Sequence, residues 1–146
     1  MKTQLLCFMA ILLLLGGSFT SCESDSTLSF TEYSLNKAQY WNINYENNGN
    51  IILINNDEDM KKHFLGTEYP PIDFSKQSLL LISGTANKGI AKQTINTIES
   101  LSNNKFKIDI ELSLTLADVM QPWVITALVS KIGDNSKIEV NVKINN

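Results

Sequence analysis

The chain has 146 residues, 43% hydrophobic and 18% charged, and its 12 basic against 15 acidic residues leave a formal net charge of −3. It is too apolar for a disordered tail, too short for two ordinary domains, and too acidic for a nucleic-acid binder, which concentrates basic charge against phosphate. Every basic residue is Lys, so the chain has no guanidinium fork for bidentate capture of carboxylate or phosphate.

Residues 1–21 read as a secretion signal: Lys2 supplies the positive region, Leu5 to Leu15 the apolar region, and Gly16, Gly17, Ser18, Thr20 and Ser21 a small-residue region. The apolar run is about 11 residues, short of the roughly 20 that span a bilayer core. Phe19-Thr20-Ser21-Cys22 resembles a lipobox, whose cleavage leaves Cys22 as the first mature residue, carrying acyl chains such as palmitate. Residues 22–27 then form an acidic, polar tether, Glu23-Ser24-Asp25-Ser26. This stretch resembles the export signal of surface lipoproteins in the Bacteroidetes group. The expected mature chain has 146 − 21 = 125 residues and, having lost Lys2, a side-chain charge of −4. With Cys7 gone and Cys22 acylated it can form no internal disulfide, so its stability must come from a packed core.

A single domain is expected over 28–146. Trp41, Ile43 and Tyr45 alternate with Asn42 and Asn44 as in a short strand, which ends at the turn Asn47-Asn48-Gly49-Asn50; Ile51–Ile54 is a second strand. One helix follows. Asn55 or Asn56 caps it, Asp57-Glu58-Asp59 sits at the positive end of its dipole, Lys61, Lys62 and His63 sit at the other, and Met60, Phe64 and Leu65 are expected to face a sheet. Tyr69-Pro70-Pro71 is a stiff connection, and Tyr69 is the aromatic expected to be exposed.

The run Leu79-Leu80-Leu81-Ile82 predicts a central strand covered on both faces, and Ile90–Glu99 a more polar one, with residues 84–89 as a hairpin-like connection between them. After the turn Ser102-Asn103-Asn104, Phe106, Ile108, Ile110, Leu112, Leu114 and Leu116 alternate with polar residues as in a half-buried strand. Trp123–Ile132 is a β-branched and aromatic strand that starts after Pro122. The turn Gly133-Asp134-Asn135 is expected to join it as a hairpin to the last strand, in which Ile138, Val140, Val142 and Ile144 alternate with Lys137, Glu139, Asn141 and Lys143. One dry and one wet face favours antiparallel pairing. The fold class is therefore α+β: an antiparallel sheet of about five to seven strands with one short helix packed on it.

Little in the chain points to chemistry. A hydrolytic triad needs an imidazole or equivalent base, and His63 is the single His; its neighbours Asp57, Asp59 and Lys62 are explained by helix-end electrostatics. One His and no free mature Cys do not make a zinc site, and Asp57-Glu58-Asp59 lacks the alternation of a calcium loop. Gly84-Thr85-Ala86-Asn87-Lys88-Gly89 lacks the Gly-Lys-Ser/Thr ending of a phosphate cradle. Neither a catalytic residue, a metal ligand nor a cofactor is assigned.

Phe74–Gly84, Lys88-Gly89-Ile90 and Gln93–Ile98, preceded by the strand Ile51–Ile54, the helix 57–64 and the loop Ile72-Asp73-Phe74, resemble the C-terminal domain of the protease-complex subunit PrcB family. Gln121-Pro122-Trp123 resembles the point where members of that family enter a late strand. The resemblance covers roughly residues 50–132. The chain departs from it at the turn, where the family carries paired glycines and an aromatic and this sequence has Gly89-Ile90-Ala91. The resemblance implies a non-catalytic, extracytoplasmic partner that binds and stabilises a protease.

The expected function is accordingly a non-enzymatic, lipid-anchored accessory module of the cell envelope, at the outer membrane. It meets a protein partner through the loops 85–90 and 117–123, in which Thr85, Asn87, Lys88, Gly89, Gln121, Pro122 and Trp123 are the candidate binding residues, with Tyr69 beside them. The alternative is a carbohydrate-binding surface lipoprotein of a glycan-uptake system, with Tyr69, Trp41 or Trp123 stacking on a sugar.

Overall fold

A computed structural model of the chain describes residues 26–145. The signal segment and Cys22 lie outside the described residues. The elements in chain order are β1 (Ser26–Thr27), β2 (Phe30–Glu32), a single 3-10 turn (Ala38–Tyr40), β3 (Asn50–Ile54), α1 (Asp57–His63), β4 (Gln77–Ala86), β5 (Ile90–Leu101), β6 (Lys105–Leu114), β7 (Gln121–Ser130) and β8 (Lys137–Asn145). The α+β expectation holds: antiparallel pairing dominates and one short helix packs on a sheet. The strands are divided between two four-stranded sheets, ordered β1-β5-β6-β8 and β2-β7-β4-β3.

The alternation of apolar residues decides how the two sheets stack. Ile108, Ile110 and Leu112 of β6 and Leu80 and Ile82 of β4 are buried together with Trp123, Ile125, Ala127 and Val129 of β7, so these inner faces form one core between the sheets. The opposite face of β4 carries Leu79 and Leu81, which with Val124 and Ile54 receive Met60 and Phe64 of the helix, Trp41 and Tyr33. A strand between two apolar layers has no wet face, which is why residues 79–82 read as an unbroken apolar run. In β5, Ile95 and Ile98 both enter the core although three positions apart, because the register shifts between Ile95 and Thr97 and the inserted residue restores the phase.

The helix forms where the sequence places it, and Met60 and Phe64 are buried as expected, but Leu65, past the C-cap, is 63% exposed because the helical phase ends at Phe64. Asn56 is its N-cap, its side-chain oxygen accepting from the Asp59 N–H at 2.8 Å, and Phe64 closes the other end with its N–H on the Met60 carbonyl. The β5–β6 hairpin turns at Asn103 and Asn104, both in the left-handed region at φ 62° and 55°, where Asn is tolerated better than other side chains.

Three expected local structures differ. Residues 41–45 are not a strand: Trp41 makes one isolated bridge to Phe64, and its indole N–H donates to the Leu35 carbonyl at 2.8 Å, which holds the ring inside the helix layer instead of along a sheet. Residues 84–89 are not a hairpin. β4 pairs with β3 and β7, while β5 pairs with β6 in the other sheet, so this connection crosses between sheets. Gly133-Asp134-Asn135 also makes a crossover, because β8 pairs not with β7 but in parallel with β6, from Lys105↔Lys137 to Ser113↔Asn145. The reason is packing: a return beside β7 would take the place of β2 in that sheet, whereas the edge of β6 offers an apolar inner face to Val140 and Val142.

Candidate functional site

The two loops singled out in the sequence meet at one end of the sandwich. The N–H of Gly89 donates to the Ala117 carbonyl at 2.9 Å, the Thr115 N–H donates to the Gly89 carbonyl at 2.7 Å, and the Ile90 N–H donates to Gln121 Oε1 at 2.9 Å. A Cβ at Gly89 would lie 2.5 Å from Thr115 Oγ1, so a larger residue here would require the Thr115 hydroxyl to move. Thr85 pairs with Pro122 across β4 and β7, and its hydroxyl donates to the Tyr45 carbonyl at 2.8 Å. Asn87 is exposed and Lys88 is half-buried.

Trp123 does not present its ring. It is 2% exposed, and its indole N–H points to Asn48 Oδ1 at 3.2 Å, the same oxygen that accepts from the Thr85 N–H. Trp41 is also 2% exposed. Tyr69, expected at the surface, is half-buried in the helix layer: its ring meets Phe64 edge-on at 5.6 Å and its hydroxyl donates to Asp57 Oδ1 at 2.8 Å. Burial comes first among the causes that raise its pKa above the ordinary phenol value, followed by the Asp57 carboxylate. Tyr69 thus belongs with the helix, and the other seven candidates belong with the loop end.

The segment between β6 and β7 carries an apolar surface that the sequence reading passed over. Leu116 is 96% exposed, Met120 71% and Val119 48%. Leu116 continues the alternation of β6 by two residues past the end of the strand, so periodicity alone assigns it to the core. The discriminating signal is the pair Val119-Met120 directly before Gln121-Pro122, two large apolar residues in a segment with no strand to bury them.

Beside this loop the flank of the sandwich is open. β1 and β2 are only two and three residues long and cover β5 and β7 at Glu99–Ser100 and Ala127–Val129. At the other end of those strands a cleft of about 540 Å³ lies between Ile90–Gln93, Gln121–Val124 and the residues leading into the 3-10 turn. Among the described residues, Lys37 and Lys92 are the ionisable ones that border it. No group of three His, Cys, Asp or Glu among the described residues is placed to hold a metal ion, and His63, at the end of α1, has a buried Nδ1 without a hydrogen-bond partner.

No family model, curated protein or solved structure matches this chain. The geometry of the site therefore carries the functional reading. Its elements are a pair of loops joined by three hydrogen bonds, an exposed apolar segment and an open cleft; among the described residues no helix is long and apolar enough to cross a membrane. Such a site suits recognition of another molecule by shape, apolar contact and backbone hydrogen bonds.

Proposed function

We propose that this chain is a lipid-anchored, non-catalytic binding module of the cell envelope that presents its loop end to a protein partner. The observation that supports this most directly is the exposed trio Leu116, Val119 and Met120 at the end of the sandwich opposite to Ser26. Ser26 pairs with Ser100, whereas Ile90, at the other end of β5, pairs with Leu114 where the apolar loop begins. Ten residues of strand, at roughly 3.3 Å each, separate the two ends by about 30 Å. A lipid on Cys22 would hold the Ser26 end toward the membrane, leaving the apolar loop facing away from it and accessible to a partner.

Large side chains exposed together on one short loop are costly for solubility and are retained where a partner covers them. The resemblance to the PrcB family makes a protease the partner class of this proposal, bound and stabilised without chemistry from the module itself. The glycan reading needs an accessible ring face, and the burial of Trp41 and Trp123 favours protein binding over it.

The test is photo-cross-linking in intact cells with the probe at position 116 or 120, with position 139 on the outer face of β8 as control. A discrete adduct from the loop, absent from the control and lost when the other two apolar residues are replaced by Ser, is expected. Equal labelling from both faces would refute the reading. Replacement of Cys22 by Ala is expected to move the chain from the membrane to the soluble fraction.

A further inference from the structure

We propose that the cleft at the open flank binds a small neutral saccharide, of monosaccharide or disaccharide size, whose hydroxyls are held by the side-chain amides of Asn36, Gln93 and Gln121. The site goes beyond the protein-binding reading and does not depend on it, and it uses no aromatic ring.

Two of the amides stand where a core residue is expected. Gln93 lies opposite Leu112 and Gln121 opposite Ala86, and both partners are buried in the core between the sheets, so the two glutamines occupy the inner faces of β5 and β7 at the open flank. Asn36 approaches from the segment before the 3-10 turn. All three are half-buried and border the cleft.

Each amide is oriented by a backbone group that can act in only one sense. The Ile90 N–H donates to Gln121 Oε1 at 2.9 Å, the Thr126 N–H donates to Asn36 Oδ1 at 2.6 Å, and Gln93 Nε2 donates to the Val124 carbonyl at 2.7 Å. An N–H cannot accept and a carbonyl cannot donate, so none of the three amides can flip without losing its bond. The other ends, Gln121 Nε2, Asn36 Nδ2 and Gln93 Oε1, have no hydrogen-bond partner among the described residues. His63 Nδ1 is the one buried side-chain polar atom there without a partner, so these three ends are open to solvent, on residues that border the cleft. The result is two amide donors and one amide acceptor, fixed in advance.

The walls leave recognition to these side chains. On β7, Pro122 has no N–H, the Val124 carbonyl is taken by Gln93, and Thr126 is taken on its N–H by Asn36 and on its carbonyl by the Tyr33 N–H. On β5 the register shifts between Ile90 and Lys92 and again between Ile95 and Thr97, which disfavours an added strand. Lys92, opposite Ser113, is on the outer face of its sheet and Lys37 is exposed, so the groups fixed between the sheets are uncharged. A hydroxyl both accepts and donates and carries no charge, which matches a mixed set of amide donors and acceptor. The cleft volume of about 540 Å³ lies within the roughly 300–1,000 Å³ of small-molecule sites.

The test is a titration of the 15N-labelled full chain, in a detergent without a sugar headgroup, with glucose, galactose, mannose, N-acetylglucosamine, maltose, lactose and cellobiose, read on the side-chain NH2 signals of Asn36 and Gln121. At least one saccharide is expected to shift these signals saturably, with a Kd of about 1 mM. Gln121→Glu keeps the acceptor for the Ile90 N–H and removes the free donor, and Asn36→Asp does the same for Thr126. Each is expected to weaken binding about fivefold to tenfold with an unchanged melting curve. No saturable shift up to about 10 mM with any of the seven, a shift with glucuronate but not with the neutral sugars, or a shift with a blocked alanine dipeptide but not with the sugars would overturn the proposal. Saccharide binding that survives Gln121→Glu combined with Asn36→Asp would overturn it too. Partner cross-linking at Leu116 is unaffected by either result.

Discussion

Ser78 and Asn55, 23 positions apart, are joined inside the protein by a hydrogen bond of 2.5 Å from the serine hydroxyl to the amide oxygen. Ser78 Oγ also accepts from the Ile132 N–H at 2.9 Å, and Asn55 Nδ2 donates to the Ile132 carbonyl at 3.0 Å. The pair therefore clasps both backbone groups of Ile132, the residue at which the chain leaves β7 for the other sheet. Lys131 adds to the clasp, its ammonium donating to the carbonyls of Asn55 and Phe74 at 2.9 and 2.8 Å.

Removing one member of a buried polar network leaves its partners unsatisfied. Ser78→Ala would strand the Ile132 N–H, and we expect it to destabilise the fold by about 1–3 kcal/mol in urea unfolding. Asn55→Leu is expected to cost at least as much, and the double variant less than the sum of the two, since both act on the same Ile132 backbone.

Gly84 marks a second close approach. A Cβ there would lie 2.8 Å from the Asn48 Cα and 2.8 Å from Trp123 Cζ2, and the backbone contact cannot swing aside. Gly84→Ala is expected to destabilise by about 1–3 kcal/mol and to red-shift Trp123 fluorescence as the indole loses Asn48.

The helix cap is separable from the core. Asn56→Ala removes the acceptor of the Asp59 N–H and is expected to cost about 0.5–2 kcal/mol. Hydrogen exchange should quicken first at Asp59 and leave the β4 amides protected until global unfolding.

Asp109 ties three strands on the outer face of its sheet. It accepts from Asn141 Nδ2 at 2.9 Å and Thr97 Oγ1 at 3.1 Å, and Lys107 Nζ lies 3.2 Å away. The Asn141 hydrogen bond foremost, helped by those of Lys107 and Thr97, holds its carboxyl below the ordinary range, against an opposing effect of burial second only to the Asn141 bond. A carboxyl depressed in the folded state stabilises the fold above its unfolded pKa of about 3.9, and that contribution disappears as the pH falls through the lower folded value. Asp109→Asn is therefore expected to melt earlier than the parent at pH 7, and the gap should close on acidification. A gap independent of pH would refute the assignment.

The exposed loop is expected to behave oppositely to the core. Leu116→Ser with Met120→Ser should change stability by less than about 0.5 kcal/mol, because neither side chain is buried, while abolishing partner capture. Differential scanning calorimetry beside the cross-linking assay separates the two effects.

Much of the fold was legible in the sequence because its information is local. The alternation in residues 105–114 and 137–144 identifies strands and their buried faces, the unbroken run Leu79–Ile82 identifies a strand between two layers, and Asn56 with the flanking charges identifies the helix. The two loops of the candidate site were legible as turns, from Gly89 and from Gln121-Pro122, and they do meet. Trp41 misled, because aromatic alternation over five residues is satisfied equally by a strand and by a chain pinned through the indole to Leu35. Leu116 misled in the other direction, as a periodic pattern that outlasts its strand.

By itself the sequence determined the extended runs that became β3 to β8, the dry faces of β6 and β8 and where the chain turns between these strands, since these follow from side-chain alternation and backbone sterics over a few residues; the short β1 and β2 carry no such pattern. Only the tertiary structure decided which strands pair. Residues 84–89 and 133–135 carry turn chemistry that serves a hairpin and a crossover alike, and the choice was made by contacts distant in sequence: Ser78 and Asn55 on Ile132, and the apolar faces of β6 and β8 in parallel register. The open flank beside β5, with its two lysines, exists only because those crossovers distribute the strands between two sheets.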